Sequence, residues 1–358
     1  MWVIILILAC FFIILNVIIL ISLQQRESIP QSKTQNKISI VIASKNEAHN
    51  IPSLAASIKG LNYCTDNFEV ILVDDESSDD TFQTAIELTK KLGNFRITKV
   101  HNKTLPAKKG ALTFGISQAV YPLILITDAD CLLPKEWLKI YSSKFDEGYD
   151  FIFSPAPFME GNSFANKAAR FENLRSSILV FSAAKLNIPY SAAARNFGFR
   201  KSAFDTIKGF SNTTETLSGD DDLLLREAVK HKMKIGTVLN EDAFVFSSTK
   251  KSLGEYLIQR ARHTKTSLYY LRRHQILLGF WHLLNILMLF SVILVPVNFL
   301  FIIPVIIKLA SDVLIVSIEQ KKLGCKFRPL EIIPLQIFYE ILLIINFAGA
   351  NFRKDSWK

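Results

Sequence analysis

Hydrophobic positions run unbroken at both ends of this chain and alternate with polar ones in between. Residues 3–23 (VIILILACFFIILNVIILISL) contain no charged residue and are long enough to cross a bilayer as a helix. Only Met1 and Trp2 precede them, so the basic stretch and cleavage site of a secretory leader are missing and a retained anchor is expected. Residues 276–318 hold apolar sequence for two more spans, with Pro296-Val297-Asn298 as the hairpin turn, and residues 330–350 make a third. From Lys37 to about Lys250 the pattern changes. Short β-rich runs appear at ISIVIAS (38–44), FEVILVD (68–74), FRITKV (95–100), LILITD (123–128) and FIFSPA (151–156). Helical spacing separates the first three, over residues 47–60 and 81–92. Strand-helix-strand repetition predicts an α/β domain with a mostly parallel sheet covered by helices. The expected division is an anchor (1–24), the α/β domain (37–250), a basic interfacial helix (251–275) and three C-terminal transmembrane helices (276–350).

Charge orients this arrangement. Arg26, Lys33 and Lys37 follow the first span, and Lys321, Lys322, Lys326 and Arg328 sit between later ones. The positive-inside rule then makes this an integral protein of the inner or plasma membrane with its middle in the cytoplasm. Arg353, Lys354 and Lys358 would finish outside, unless the last span lies in the interface. The net charge of +10 is explained by an anionic cytoplasmic membrane face, without nucleic acid as a partner. Cys10, Cys64, Cys131 and Cys325 are scattered, at neither metal-ligand nor redox spacing.

The chemistry sits where apolar runs stop. In parallel sheets, ligands collect at the carboxyl ends of the strands, and those ends carry Ser44-Lys45-Asn46-Glu47, Asp74-Asp75 and Asp128-Ala129-Asp130. A turn at Ala129 would let Asp128 and Asp130 converge on one small cation. Hard oxygens suit Mg²⁺ or Mn²⁺, and Mg²⁺ characteristically adds substrate phosphates to one or two carboxylates. In VDDESSDDT (73–81), Asp79 and Asp80 fit a helix N-cap, whereas Asp74 belongs to the strand end. In LSGDDDLLLREAVK (217–230), three acids open a helix although one suffices for a cap, so a carboxylate of raised pKa is expected there as a general base. On a helix through YLIQRARHTK (256–265), Gln259, Arg262 and His263 share a face and Arg260 points away. That face fits either lipid headgroups or a departing diphosphate. Residues 164–181 suggest an amphipathic helix with Phe164, Phe171, Ile178 and Phe181 on one side, facing the core or admitting a lipid.

Together these motifs resemble the membrane-bound family 2 glycosyltransferases, a group that includes ceramide glucosyltransferases and the cellulose and hyaluronan synthases. The resemblance covers roughly residues 37–275. VIASKNE (41–47) is similar to the family's first-strand motif, VDDESSDDT to its second, and TDAD to its metal-binding D-x-D. AKKGALTFG (107–115) resembles its lysine segment, with Lys108 at the diphosphate. RNFGFRKSAF (195–204), including Asn196, resembles the segment leading to the acceptor site. SGDDDLLLR stands where the family usually has Glu-Asp-x-Asp-Leu, and QRARH where many members have Gln-x-x-Arg-Trp. Gly219 replaces the usual Glu, which leaves the base open between Asp220 and Asp221. His263 replaces a Trp near the acceptor, so the acceptor is expected to differ from that of the processive synthases.

What the resemblance implies is a GT-A nucleotide-sugar-binding fold. Glu47 and Asp74 would contact the nucleoside, and Asp128 and Asp130 would hold the divalent cation on the sugar diphosphate. Asp220 would deprotonate the attacking hydroxyl of a lipid or glycan acceptor, with inversion at the sugar. Lys108 and Arg262 would stabilise the departing nucleoside diphosphate. Alternatives are a processive polysaccharide synthase subunit, for which four spans are few, and a non-catalytic nucleotide-sugar-binding membrane protein, which would need no base. A nucleotidyltransferase shares the metal and sheet but does not explain the Gln259, Arg262 and His263 helix.

Overall fold

The structure is a computed structural model that describes residues 2–24 and 35–352. Arg26, Lys33, Arg353, Lys354 and Lys358 lie outside the described residues. Along the chain come α1 (Trp2–Leu23), β1 (Ile38–Ser44), α2 (Ile51–Lys59), β2 (Phe68–Asp74), α3 (Thr81–Thr89) and β3 (Phe95–Lys99). Then follow α4 (Ala107–Gln118), β4 (Leu123–Asp128), β5 (Cys131–Leu132), α5 (Trp137–Asp146), β6 (Phe151–Phe153) and α6 (Phe164–Lys185). After these come β7 (Phe197–Arg200), α7 (Lys201–Thr206), α8 (Asp222–Lys230), β8 (Ile235–Thr237) and β9 (Phe246–Ser247). The chain ends with α9 (Leu253–Ser267), α10 (Arg272–Phe290), α11 (Ile302–Glu319) and α12 (Pro329–Phe352). These elements form two units. One gathers α1, Glu160–Tyr190 and the chain from Lys250 onward; the other holds the remaining elements.

The α/β unit is built on a seven-stranded sheet in the order β3-β2-β1-β4-β7-β6-β8. Strands β1 to β4 pair in parallel, and β7 runs antiparallel to both β4 and β6. Strands β1, β2 and β4 are buried along nearly their whole length, which is why they appear in sequence as continuous rather than alternating apolar runs. The fifth expected strand is shorter than its apolar run: β6 stops at Phe153. Helix α4 lies flush on the sheet. A Cβ on Gly115 would come within 2.6 Å of Val41 Cγ1 and 2.9 Å of Val73 Cγ2, so only glycine allows that approach.

Among the described residues of the other unit, three stretches are long and apolar enough to cross a membrane: Arg272–Leu294, Phe299–Glu319 and Pro329–Gly349. The chain reverses between the first two at the expected Pro296-Val297-Asn298. Helix α6 belongs to this unit, not to the α/β unit in which the sequence placed it. Its Phe171, Ile178 and Phe181 are buried while Phe164 is 56% exposed. Phe171 meets Phe327 and Tyr339 edge-on. The heptad-like spacing therefore marks the inward face, but its partners are the apolar helices.

A buried ion cluster ties these helices together. Lys308 Nζ on α11 lies 2.7 Å from Asp312 Oδ2 and 2.9 Å from Glu340 Oε1 on α12. It also donates to Asn285 Oδ1 of α10 at 3.0 Å. Arg175 of α6 completes the cluster through Asp312 Oδ1 at 2.9 Å. Two cations balance two anions, which makes such burial tolerable. Lys308→Met would leave Glu340 without its cation and Asp312 with Arg175 alone, so a loss of about 3 kcal/mol is expected. A lowered melting temperature of the detergent-solubilised protein would register it.

Candidate active site

The sheet register brings the acidic motifs to one edge. Asp74, the last residue of β2, stands opposite Ser44 of β1, and Asp128, the last of β4, opposite Ala43. Strands β2 and β4 flank β1, so both residues end their strands at the same edge of the sheet, with registers one residue apart. The backbone is strained at this edge, with positive φ at Asn46 (56°), Glu76 (59°) and Ala107 (55°).

Glu47 follows the Asn46 turn. Its amide donates to Thr81 Oγ1 at 2.8 Å, and its Oε2 accepts from Asn50 Nδ2 at 2.6 Å. Asp74 is 1% exposed. Its Oδ2 accepts a long bond from Ser77 N at 3.4 Å, while Oδ1 is buried with no hydrogen-bond partner. An ionised oxygen left bare in this way is costly unless a donor arrives.

The first turn of α4 also stands at this edge. A Cβ on Gly110 would lie 2.1 Å from Leu105 O, so glycine lets the helix begin tight against the preceding loop. Lys108, in that turn, joins two motifs that are far apart in sequence. Its Nζ lies 2.7 Å from Asp128 Oδ1 and 2.6 Å from Asp220 Oδ2. Burial alone would lower the pKa of this ammonium, but the two carboxylates more than reverse that and hold it charged. Burial likewise pushes the Asp220 carboxyl up, yet Lys108, with a smaller contribution from Lys109, brings it below its ordinary 3.8. The sequence predicted a raised pKa for the base, and in this arrangement the Lys108 ion pair reverses that for Asp220.

The other two acids of the triplet face elsewhere. Asp221 Oδ2 accepts from Ala194 N at 2.9 Å and Oδ1 from Asp222 N at 2.7 Å, making Asp221 the N-cap of α8. Burial and the neighbouring Asp222 and Asp220 raise its pKa well above the usual range. Asp222 accepts from Ser191 Oγ at 2.6 Å. Helix α8 thus starts two residues later than three helix-opening acids would suggest, and of the three only Asp220 reaches Lys108.

Asp130 is half-buried just beyond Asp128, with Cys131 Sγ 3.7 Å from its Oδ1. Among the described residues no three His, Cys, Asp or Glu side chains gather as a metal cage. Asp128 and Asp130 can still supply two hard oxygens, and the ammonium on Asp128 shows that this position accepts a cation. Two carboxylates without a third ligand fit a metal that completes its sphere with phosphate oxygens and water.

Asn196 departs from expectation. It is 0% exposed. Its Nδ2 donates to Pro155 O and Ala243 O, both at 2.8 Å, and its Oδ1 accepts from Trp137 Nε1 at 2.9 Å and Tyr141 OH at 2.8 Å. With its amide fully engaged, Asn196 is a core hub and not an acceptor contact. Sequence reasoning also passed over Lys109. Buried to 1%, it donates to Thr213 O and, at 3.0 Å, to Thr216 O, clamping the loop that leads to Asp220. Adjacent helical residues point about 100° apart, so the Lys-Lys pair serves two targets.

Gln259, Arg262 and His263 lie on α9, in the unit of the apolar helices, and are half-buried. On the same helix Arg260 Nε pairs with Glu172 Oε1 of α6 at 2.7 Å, and Tyr256 OH also donates to Glu172. Arg260 therefore holds α9 to α6.

Residues 39–208 match the family described as Glycosyl transferase family 2. These residues are similar to a family 2 glycosyltransferase domain. It is 30% identical over 139 residues to an undecaprenyl-phosphate 4-deoxy-4-formamido-L-arabinose transferase of Proteus mirabilis, covering 38% of this chain and 42% of that protein. The same enzyme from Enterobacter sp. is 28% identical over 144 residues, with the same coverage. The chain thus spans less than half the length of these relatives. Among solved structures, a mannosyltransferase from Pyrobaculum calidifontis, PcManGT, in complex with GDP-Man and Mn²⁺, superposes with a TM-score of 0.60. That match covers 97% of this chain and 99% of the other at 14% identity, a likeness of fold. The architecture is accordingly GT-A, a mixed α/β domain on a mostly parallel sheet.

Proposed function

We propose that this chain is a metal-dependent, inverting glycosyltransferase that moves a sugar from a nucleotide-sugar donor to a lipid-linked acceptor at a membrane. The observation that carries the reading is the Lys108 bridge, in which one ammonium touches both the D-x-D carboxylate Asp128 and the carboxylate Asp220. A binding-only domain has no need of a buried, ionised carboxylate beside its metal motif. The unpartnered Asp74 Oδ1 suits a nucleoside donor group, and Glu47 lines the same strand exits. Asp128 and Asp130 would hold the divalent cation, Mg²⁺ or Mn²⁺, which when bound neutralises charge on the diphosphate. Asp220 accepts the proton of the attacking acceptor; Asp221 serves as the cap that fixes its position. Lys108 stabilises the leaving nucleoside diphosphate. The likeness to undecaprenyl-phosphate sugar transferases favours a polyprenyl-linked acceptor, and the basic residues beside the spans favour a cytoplasmic catalytic domain.

The test presents purified protein with a panel of UDP- and GDP-sugars, Mg²⁺ or Mn²⁺ and membrane lipid extract. A released nucleoside diphosphate together with a lipid that gains one sugar is expected; nucleotide binding without either product would sink the proposal.

For Gln259, Arg262 and His263, the motif on α9 alone supports a part in turnover. Arg262→Lys keeps the charge but loses the guanidinium fork. It should slow turnover about tenfold at an unchanged melting temperature. Arg260→Lys should instead lower the melting temperature by loosening the Glu172 pair. Steady-state rates and thermal melts of the two variants separate these outcomes.

A further inference from the structure

Helix α10 begins with two cations and no cap. Arg272 and Arg273 are both exposed, and the N-cap residue, Leu271, offers no side chain to the first amides. The turn into the helix is held from the other side, where Gln275 Nε2 donates to Leu268 O at 2.6 Å. One residue further, His274 is 3% exposed, and its Nε2 is buried with no hydrogen-bond partner. Helical side chains tilt toward the N-terminus, which aims this ring back over the uncapped first turn. The Tyr190 ring lies 6.2 Å from it, and Tyr270 in turn lies 5.9 Å from Tyr190.

A buried polar nitrogen without a partner costs free energy until it finds one, and helix N-termini attract anions. The two arginines add delocalised donors suited to phosphate oxygens. The turn also opens a stretch apolar enough to cross a membrane, so the anions presented to it are lipid headgroups. We propose that Arg272, Arg273, His274 and the α10 N-terminus form a binding site for the phosphomonoester headgroup of a membrane lipid. The charge discriminates among lipids. A phosphomonoester carries nearly two negative charges at neutral pH, a phosphodiester one, and the two arginines with the helix dipole gain more from the former.

The test uses the full chain in phosphatidylcholine nanodiscs, without sugar donor, doped with either phosphatidic acid (a monoester) or phosphatidylglycerol (a diester). Lipid retained by the protein is counted by native mass spectrometry. Wild type should retain the monoester about tenfold over the diester, and Arg272→Gln with Arg273→Gln, both at exposed positions, should bring the ratio close to one. His274→Ala should lower it as well. Equal retention of the two lipids by wild type, or an unchanged ratio in the double variant, overturns the site. Displacement by inorganic phosphate at concentrations equal to the lipid would overturn its assignment to a headgroup. Because no sugar donor is present, lipid preference and sugar transfer can fail independently.

Discussion

Asp220→Asn should leave donor affinity intact and lower turnover by as much as ~10⁴-fold, the upper range for loss of a general base. The amide keeps the size of the carboxylate and can still accept from Lys108, so the pocket should persist; what disappears is a site for the proton. Asp221→Asn should behave differently. It alters the cap of α8 and its bond from Ala194, so the melting temperature should move while the rate per folded molecule falls far less. Nucleotide-sugar binding by calorimetry, turnover by product release and thermal melts together separate the two. If Asp221→Asn abolished turnover and Asp220→Asn did not, the base would be Asp221.

The ion pair also sets a pH signature. Lys108 holds Asp220 below 3.8, so the pair's stabilisation is fully present above that ordinary value and is lost as pH falls through the lower, folded one. In kcat/KM, which reports the free enzyme, the acidic limb governed by Asp220 should lie low. Lys108→Met removes the main opposing charge and leaves burial to raise the carboxyl, so the same limb should move to higher pH. A profile of Lys108→Met superimposable on wild type would mean that Lys108 does not control the ionisation of Asp220.

Much of this architecture was legible in the sequence because burial writes a strong pattern. Strands β1, β2 and β4 are covered on both faces, and their apolar runs match the observed bounds. Helix α4 left no such trace. Its two glycines depress helix propensity, yet both are demanded by tertiary contacts, with Leu105 O on one side and Val41 with Val73 on the other. Strands β7 and β8 run to only four and three residues, too short for periodicity, and β7 keeps Gly198 because Leu125 Cδ2 would sit 2.3 Å from a Cβ there. The spacing of Phe171, Ile178 and Phe181 fixed which face of α6 turns inward, but amphipathicity carries no information about which unit supplies the partner.

The candidate site shows the same division. Strand-end acids are visible because carboxylates at the end of an apolar run are conspicuous. Motif position located Lys108 but also misassigned Asn196, whose amide is consumed by Pro155, Ala243, Trp137 and Tyr141. Those partners are up to 59 residues away in sequence, and no local pattern announces them. The depressed pKa of Asp220 was hidden for a similar reason: its cause, Lys108, arrives from a different helix.

Loss of the D-x-D should also cost heavily. Asp128→Ala removes a proposed metal ligand and one of the two carboxylates on Lys108, so at least a ~10³-fold fall in turnover is expected with Mn²⁺ or Mg²⁺ at ordinary concentrations. The freed ammonium would remain on Asp220 alone, which keeps the fold and makes loss of stability an insufficient explanation. Asp130→Ala leaves the Lys108 bridge whole. It should raise the metal concentration needed for half-maximal rate more than it changes the melting temperature. Titrating Mn²⁺ against donor binding by calorimetry gives a readout independent of turnover, in which wild type shows metal-dependent affinity and both variants lose it. Wild-type rates in either variant, with the metal still required, would place the cation on other residues and separate Asp128 from the chemistry. In that event the Lys108 bridge would be a structural ion pair beside an active centre built elsewhere.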